Sequence, residues 1–393
     1  MTATRTKRIL SVQPVCDGGG SEHALIRMIR QLVADGWECH VAVPAAPRLA
    51  SEYAAAGAVL HVVPMERLTT SGGPARWARY AARWPLSVAR LVRLVRRTDA
   101  GVVHTNSLHS WYGWAAAALT GRPHVWHARE IVFQSGAALR VERFLTGRFA
   151  DRVVAVSQAV ADQLDPRRTV VITDEADPDR FGPGRAGSFR VAAGIGDDVP
   201  LAGSVARLDT WKGFETLLDA FAVVRRDRPD AELVVAGAAV PGKEAYAAGL
   251  EERAAAMEGV HWLGPRRDVP ELMADLDVFV QVSTEPEPFG LVVVEALASG
   301  TPVVAGAEGG PLEILGPSAV ASPTPGGRLV RPGDPAALAE AVLQLLPPGP
   351  SSAGRRRARP PLRNPTTGRF AALFAEVTAP GRGRRQPAPI TST

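Results

Sequence analysis

The chain has 393 residues, which is enough for two or three domains, each with its own hydrophobic core. Its 46% hydrophobic and 22% charged residues are ordinary for a globular protein. Residues 351–393 hold nine Arg against one acid, a net +8, so the overall +5 leaves −3 for the rest of the chain. The charge therefore gives no argument for a nucleic-acid partner, and no zinc-finger, RNP or KH pattern occurs.

The two cysteines, Cys16 and Cys39, form neither a disulfide framework nor a metal-ligand pattern, which favours a reducing, cytoplasmic location. The apolar run of residues 9–15 follows Lys7-Arg8 as in a signal peptide, but it is short, and Asp17 and three glycines end it. We interpret it as a first strand. No run of about 20 apolar residues occurs, so no membrane span is predicted.

The first half of the chain alternates short apolar segments with amphipathic ones. Residues 22–34 place their apolar side chains on one face and predict a helix. Strands are predicted at residues 8–15, 39–43, 59–63, 101–104, 124–127 and 152–156. Near-continuous apolar strands with helices between them are typical of a parallel, doubly wound sheet.

Residues 174–187 are rich in acids, Pro and Gly and predict a linker. After the linker the alternation resumes, with strands predicted at 201–207, 231–237, 260–264, 277–283 and 301–306 and a last helix at 336–346. The sequence thus predicts an α/β protein with two Rossmann-like domains, 1–176 and 177–346, facing across a cleft at the carboxyl ends of their strands. The Pro- and Arg-rich tail, 347–393, contains one segment with helical spacing, 368–377.

Seven Arg surround an apolar stripe in residues 75–97. We favour a pair of amphipathic helices that pack on the core and expose a solvated Arg face. The alternative is a surface that lies on an anionic membrane. Segments 76–97 and 355–385 are therefore the candidates for peripheral membrane contact.

Two stretches could bind a diphosphate. The three glycines ending at Gly20 lie between a strand and a helix, where the backbone can approach an anion or form a plain tight turn. Arg207 and Lys212 follow the strand at 201–207, and they either hold a diphosphate or are solvated loop cations.

The stretch EPEPFGLVVVEALASG, residues 285–300, follows a buried strand. A helix predicted at 289–298 would offer the N–H groups of Gly290 and Leu291 to a phosphate. Glu287 in the loop and Glu295 in the helix could contact two polyol groups of one ligand. Alternatively, Glu287 caps the helix and Glu295 belongs to a buried ion pair.

His127 ends the strand VWH and is predicted to point into the cleft, although a histidine at a strand end is commonly a packed structural group. Together, these stretches resemble the retaining, nucleotide-sugar-dependent glycosyltransferases of family 4, which have the GT-B fold. The resemblance covers residues 8 to about 346. Its most specific part is the E-x7-E pattern of Glu287 and Glu295, and the spacing of Arg207 and Lys212 supports it.

The resemblance implies roles for these residues. In the catalytic group, Arg207 and Lys212 would hold the donor diphosphate and stabilise the leaving group, Glu287 would orient the donor sugar, and His127 would contact that sugar. The further donor-binding residues would be Gly20 and the N–H groups of Gly290 and Leu291 for the diphosphate, Glu295 for the ribose, and Arg266 for the base.

The resemblance further implies sugar transfer with retention from a nucleotide sugar, with a UDP-sugar favoured. No DxD motif ends a strand, so no metal is expected, and no cofactor is expected either. The acceptor would be a small molecule, a lipid-linked sugar or a glycan, as in cell-envelope or natural-product synthesis, and the location cytoplasmic or peripheral at the inner face of the membrane. Alternatives are a GT-B-fold sugar-nucleotide epimerase and a catalytically silent partner protein.

Overall fold

The computed structural model of the protein describes residues 7–66, 73–133, 135–348 and 368–379. The chain divides into two compact units between Asp174 and Glu175, two residues before the predicted boundary. The helix near the C-terminus returns to the first unit.

In the first unit, the described residues form a seven-stranded parallel sheet in the order β3-β2-β1-β4-β5-β6-β7. The strands are β1 (Arg8–Val12), β2 (Glu38–Val43), β3 (Ala58–Val62), β4 (Val102–Thr105), β5 (His124–Ala128), β6 (Arg152–Ala155) and β7 (Thr169–Val171). Six of these strands were predicted. The prediction missed β7, whose three residues are too few to show a pattern.

The helices that flank this sheet are α1 (Gly20–Ala34), α2 (Ala50–Ala55), α3 (Gly73–Thr98), α4 (Gly113–Thr120), α5 (Gly136–Phe149) and α6 (Gln158–Ala161). The predicted pair of helices at 75–97 is wrong, because α3 is one continuous helix that contains Pro85. Buried Tyr80 lies before Pro85, and buried Val88, Leu91 and Val95 follow it on the same stripe. Packing of this stripe holds the helix together across the proline.

The second unit has a six-stranded parallel sheet in the order β10-β9-β8-β11-β12-β13. Its strands are β8 (Leu201–Val205), β9 (Glu232–Ala236), β10 (Val260–Gly264), β11 (Val278–Gln281), β12 (Val303–Gly306) and β13 (Gly327–Val330). The prediction missed β13. A Cβ at Gly327, where φ is 139°, would lie 1.8 Å from the Val303 carbonyl oxygen, so this edge strand requires glycine there.

The helices of the second unit are α7 (Ser188–Ala193), α8 (Phe214–Asp227), α9 (Glu244–Ala255), α10 (Val269–Asp275), α11 (Leu291–Ala298), α12 (Gly310–Leu315), α13 (Ser318–Ala321) and α14 (Pro335–Leu345). Both sheets are doubly wound. The chain adds strands toward one edge of the sheet and then toward the other, and this order reverses between β1 and β4 in the first sheet and between β8 and β11 in the second. In such sheets, ligands bind where the carboxyl ends of the strands meet this reversal.

The last helix, α15 (Arg369–Thr378), covers all but the first residue of the predicted helical segment 368–377 and packs into the core of the first unit. The Phe374 ring lies 5.9 Å from that of Trp37, and Arg152 donates to Glu376 at 2.7 Å. Most of the basic segment 355–385 lies outside the described residues. Within the described ranges, no helix is both long and apolar enough to cross a bilayer.

Candidate active site

The order of the second sheet brings two predicted stretches together. β8 and β11 are parallel neighbours, so the segments that follow them meet at one edge of the sheet. Lys212 follows β8 and Glu287 follows β11, and the Lys212 Nζ lies 2.6 Å from the Glu287 Oε2. Each of the two side chains is 13% exposed.

Three donors converge on one oxygen of Glu287. Besides Lys212, the amide nitrogen of Gln281 and the hydroxyl of Ser283 each donate to Oε2 at 2.9 Å. Gln281 also donates to Ser283 Oγ at 2.6 Å, and both residues are buried. Among the described residues, no donor lies within hydrogen-bond distance of Glu287 Oε1. The carboxylate is therefore fixed through one oxygen, and the other remains available as an acceptor.

The turn that carries Lys212 is also fixed in place. It is a short 3-10 helix, Thr210–Lys212, that ends at Gly213 with φ 72°. A Cβ at Gly213 would lie 2.0 Å from the Val282 carbonyl oxygen, so only glycine lets the turn approach β11 this closely. The Lys212 ammonium lies 3.8 Å from the centre of the Trp211 ring, a cation–π contact that orients it.

The loop that carries Glu287 is held by the segment after β12. The Gly310 N–H donates to the Glu287 carbonyl at 2.8 Å, and Glu287 pairs with Gly309 as an isolated bridge. At Gly309, where φ is 69°, a Cβ would lie 2.1 Å from the Glu287 carbonyl oxygen. Because Gly309 and Gly310 have no side chains, the backbone of the Glu287 loop packs directly against the backbone of this segment.

Helix α11 begins at Leu291, two residues after its predicted start, because Gly290 is the N-cap in the left-handed region at φ 92°. In the described part of the chain, no acceptor lies within hydrogen-bond distance of the N–H groups of Gly290 and Leu291, as is usual at a helix N-terminus. Glu295 is 9% exposed and lies one turn into the helix.

The other two predicted cations lie at the surface. Arg207 is exposed, two residues beyond the end of β8. Arg266 is exposed and donates to both carboxylate oxygens of Asp268, at 2.8 and 2.5 Å. This pairing raises the pKa of Arg266 and fixes its guanidinium plane.

In the first unit, Gly20 is the exposed first residue of α1 and follows Gly18, where φ is 80°. The buried side chain of Glu22 accepts a hydrogen bond from the Gly18 N–H at 2.6 Å. Burial raises the pKa of Glu22 to about 7. Glu22, for which the sequence predicted no role, therefore closes the glycine turn.

His127, which was predicted to point into the cleft, is buried and only 2% exposed. Its ring centre lies 5.5 Å from that of Phe370 in α15. The Phe370 ring covers the end of β5, which the local sequence around His127 could not show.

His127 belongs to a buried polar chain. Its Nδ1 lies 3.4 Å from His104 Nε2, and its Nε2 lies 3.2 Å from an Arg129 nitrogen. Arg129 forms an ion pair with Asp174, the last residue of the first unit before the division. Burial is the main cause that lowers the pKa of His127 well below its usual value, and the positive charge of Arg129 is the second. The ring is therefore neutral at physiological pH.

Four residues of the Lys212–Glu287 site were absent from the sequence predictions: Trp211, Gln281, Ser283 and Gly309. The sequence does indicate two of them, Gln281 and Ser283, because they are polar residues two positions apart at the end of an apolar strand. Alternate residues of a strand point to the same face, so both side chains face the loop that returns above them. Among the described residues, no group of three or more His, Cys, Asp or Glu side chains is arranged to hold a metal ion.

Two family models match the chain. The model described as Glycosyltransferase Family 4 matches residues 18–173, and the model described as Glycosyl transferases group 1 matches residues 188–356. Together they cover most of both units.

Named relatives and solved structures agree with these models. The alpha-maltose-1-phosphate synthase of Mycolicibacterium smegmatis is 31% identical over 57% of this chain and 64% of its own length. The D-inositol 3-phosphate glycosyltransferase of Geodermatophilus obscurus is 34% identical over 62% of this chain and 60% of its own length. The match thus spans less than two thirds of each relative.

A crystal structure of HepE from Anabaena, in complex with UDP and glucose, superimposes with a TM-score of 0.72. Its sequence is 26% identical, and the match covers 94% of this chain and 95% of that one. With two Rossmann-like units and matches to both family models, the chain belongs to the family 4 glycosyltransferases of the GT-B fold.

Proposed function

We propose that the protein is a retaining glycosyltransferase that transfers a sugar from a nucleoside diphosphate donor to an acceptor. The observation that carries this proposal is the convergence of Lys212, Gln281 and Ser283 on one oxygen of Glu287, at the reversal point of the second sheet. A fixed cation beside a fixed carboxylate suits a ligand with a diphosphate and a polyol next to each other. The Anabaena structure with UDP and glucose supports a UDP-sugar as the donor.

Breaking the bond between the anomeric carbon and the diphosphate leaves positive charge on the sugar and negative charge on the leaving phosphate. Lys212 stabilises that phosphate, with Arg207 as the second cation. The ammonium has three protons and donates one to Glu287, so two remain for phosphate oxygens. The N–H groups of Gly290 and Leu291, at the positive end of α11, add donors that need no reorganisation.

Glu287 binds the donor sugar in this proposal. Three donors hold Oε2, so Oε1 accepts a hydrogen bond from a sugar hydroxyl and orients the ring. Glu295 binds the ribose, and Arg266 contacts the base.

The acceptor hydroxyl attacks the anomeric carbon from the face that the diphosphate leaves, and its proton passes to the departing phosphate oxygen. The new glycosidic bond thereby keeps the configuration of the donor. The cations and backbone N–H groups stabilise the leaving charge without a metal. The acceptor is a small molecule, a lipid-linked sugar or a glycan.

Two alternatives use the same donor site. A sugar-nucleotide epimerase would return an isomerised sugar nucleotide without net release of nucleoside diphosphate, whereas a silent partner protein would bind the nucleotide and release nothing. Proton NMR of the products tests all three. Transfer requires free nucleoside diphosphate and a glycosylated acceptor with the same anomeric configuration as the donor, and an isomerised sugar nucleotide as the product would contradict the proposal.

Gln281 and Ser283 are expected to act as positioning residues. Ser283→Ala removes one of the three donors from Glu287 Oε2, and hydrogen bonds to charged groups contribute about 1.5–3 kcal/mol. We expect kcat/KM for the donor to fall by about tenfold or more. Affinity for the nucleoside diphosphate alone should change little, because the sugar contact is the one disturbed.

Isothermal titration calorimetry with the diphosphate and with the sugar nucleotide separates these effects. Ser283→Thr keeps the hydroxyl and is the matched control. Equal losses of affinity for both ligands in Ser283→Ala would contradict the positioning role.

A further inference from the structure

Helix α3 has an unbalanced charge. Its 26 residues include no acid, and six of its arginines are exposed: Arg79, Arg83, Arg90, Arg93, Arg96 and Arg97. Arg79 and Arg83 lie 3.7 and 3.0 Å from Glu66. For the other four, no carboxylate of the described residues lies within ion-pair distance. Asp99, the next acid along the chain, pairs instead with Arg8 and Arg122.

A groove between α3 and α4 lies among these arginines. It has a volume of about 550 Å³ and is lined by Ala89, Val92, Arg93, Arg96, Arg97 and Leu119. The groove thus combines aliphatic side chains with three guanidinium groups. Leu119 is 64% exposed beside it, and Leu86, on α3, is 65% exposed.

We propose that this face of α3 and α4 docks on a bilayer that contains anionic phospholipid. The guanidinium groups of Arg93, Arg96 and Arg97 pair with headgroup phosphates, which their planar forks match. Leu86 and Leu119 enter the boundary between headgroups and acyl chains, as apolar residues of interfacial helices do.

A solvated surface explains this face less well. Solvated helix faces commonly intersperse both signs of charge, whereas α3 has one sign only. The dipole of the helix favours Arg96 and Arg97 in the last turn, but Arg90 and Arg93 lie before that turn. Exposure of Leu86 and Leu119 to water is unfavourable, and docking on a membrane would remove their apolar surface from water. This inference goes beyond the proposed sugar transfer and does not depend on it.

Vesicle co-sedimentation of the full chain tests the proposal. We expect binding to phosphatidylcholine vesicles that contain phosphatidylglycerol, little binding to pure phosphatidylcholine, and weaker binding at high salt. Each cation near an anionic surface contributes about 1 kcal/mol, so Arg93→Ala/Arg96→Ala should lower the partition coefficient by tenfold or more. Leu119→Gln should also lower the partition coefficient relative to the wild type. Its effect should be clearest at high salt, where the charges are screened and the apolar contact dominates.

The matched control is Arg226→Ala/Arg331→Ala, which removes the same charge from exposed arginines of the second unit and should bind as the wild type does. The Arg-rich tail is intact in every variant. Wild-type binding by Arg93→Ala/Arg96→Ala would assign the interaction to another segment and overturn the proposal. Equal losses in the control, or no binding of the wild type to phosphatidylglycerol vesicles, would overturn it too.

Discussion

Replacing Lys212 with methionine is expected to lower the rate of sugar transfer by on the order of 10²–10³-fold, the usual effect of losing one preorganised charge contact with a developing anion. Methionine keeps much of the length and the apolar stem of the side chain and loses the ammonium that lies 2.6 Å from Glu287. Because Gln281 and Ser283 still donate to Glu287, the carboxylate stays in place and the domain stays folded.

Initial rates of nucleoside diphosphate release measure this effect, and a thermal melt confirms that the variant is folded. Arg253→Met on α9 removes a half-buried cation that pairs with Asp219 in the same unit, away from the Lys212–Glu287 pair, and should leave the rate unchanged. Turnover near that of the wild type in Lys212→Met would exclude Lys212 from the proposed leaving-group role.

Replacing Glu287 with alanine is expected to lower the rate of sugar transfer by a similar factor, at least on the order of 10²-fold. The reason is that the sugar then loses the acceptor that orients it. The variant also leaves Lys212 without its carboxylate partner. Glu287→Gln separates the two effects. Its amide oxygen can still accept from Lys212, Gln281 and Ser283, while its NH₂ group replaces Oε1 and cannot accept from a sugar hydroxyl.

We therefore expect Glu287→Gln to be as inactive as Glu287→Ala but more stable. The matched control is Glu285→Ala, which removes a carboxylate from the same loop, two residues earlier, and should retain activity. Equal activity of Glu287→Gln and the wild type would mean that Oε1 does not bind the sugar.

The sequence predicted the two sheets well, because the buried strands of a parallel sheet are continuous apolar runs and need no long-range information. It missed β7 and β13, which are edge strands of three and four residues. It also split α3 at Pro85, since proline usually interrupts a helix. The helix continues through Pro85 because its apolar stripe packs on the core on both sides of the proline.

For the site, the sequence placed Lys212 and Glu287 at the ends of β8 and β11, but it could not show that these strands are neighbours. Their ion pair therefore emerged only in the structure. The burial of His127 could not be predicted either, for a related reason. Its cover is Phe370, more than 240 residues away along the chain, and no local pattern encodes that contact.

The most direct test of the central claim, that the second unit binds a nucleotide sugar through Lys212 and Glu287, is a thermal-shift screen of the full chain. UDP-, GDP-, TDP- and ADP-sugars are titrated against the wild type and Lys212→Met. We predict that at least one donor, with UDP-sugars favoured, raises the melting temperature of the wild type, and that Lys212→Met loses most of this shift. Failure of all four nucleotide sugars to stabilise the wild type, or an undiminished shift in Lys212→Met, would contradict the claim.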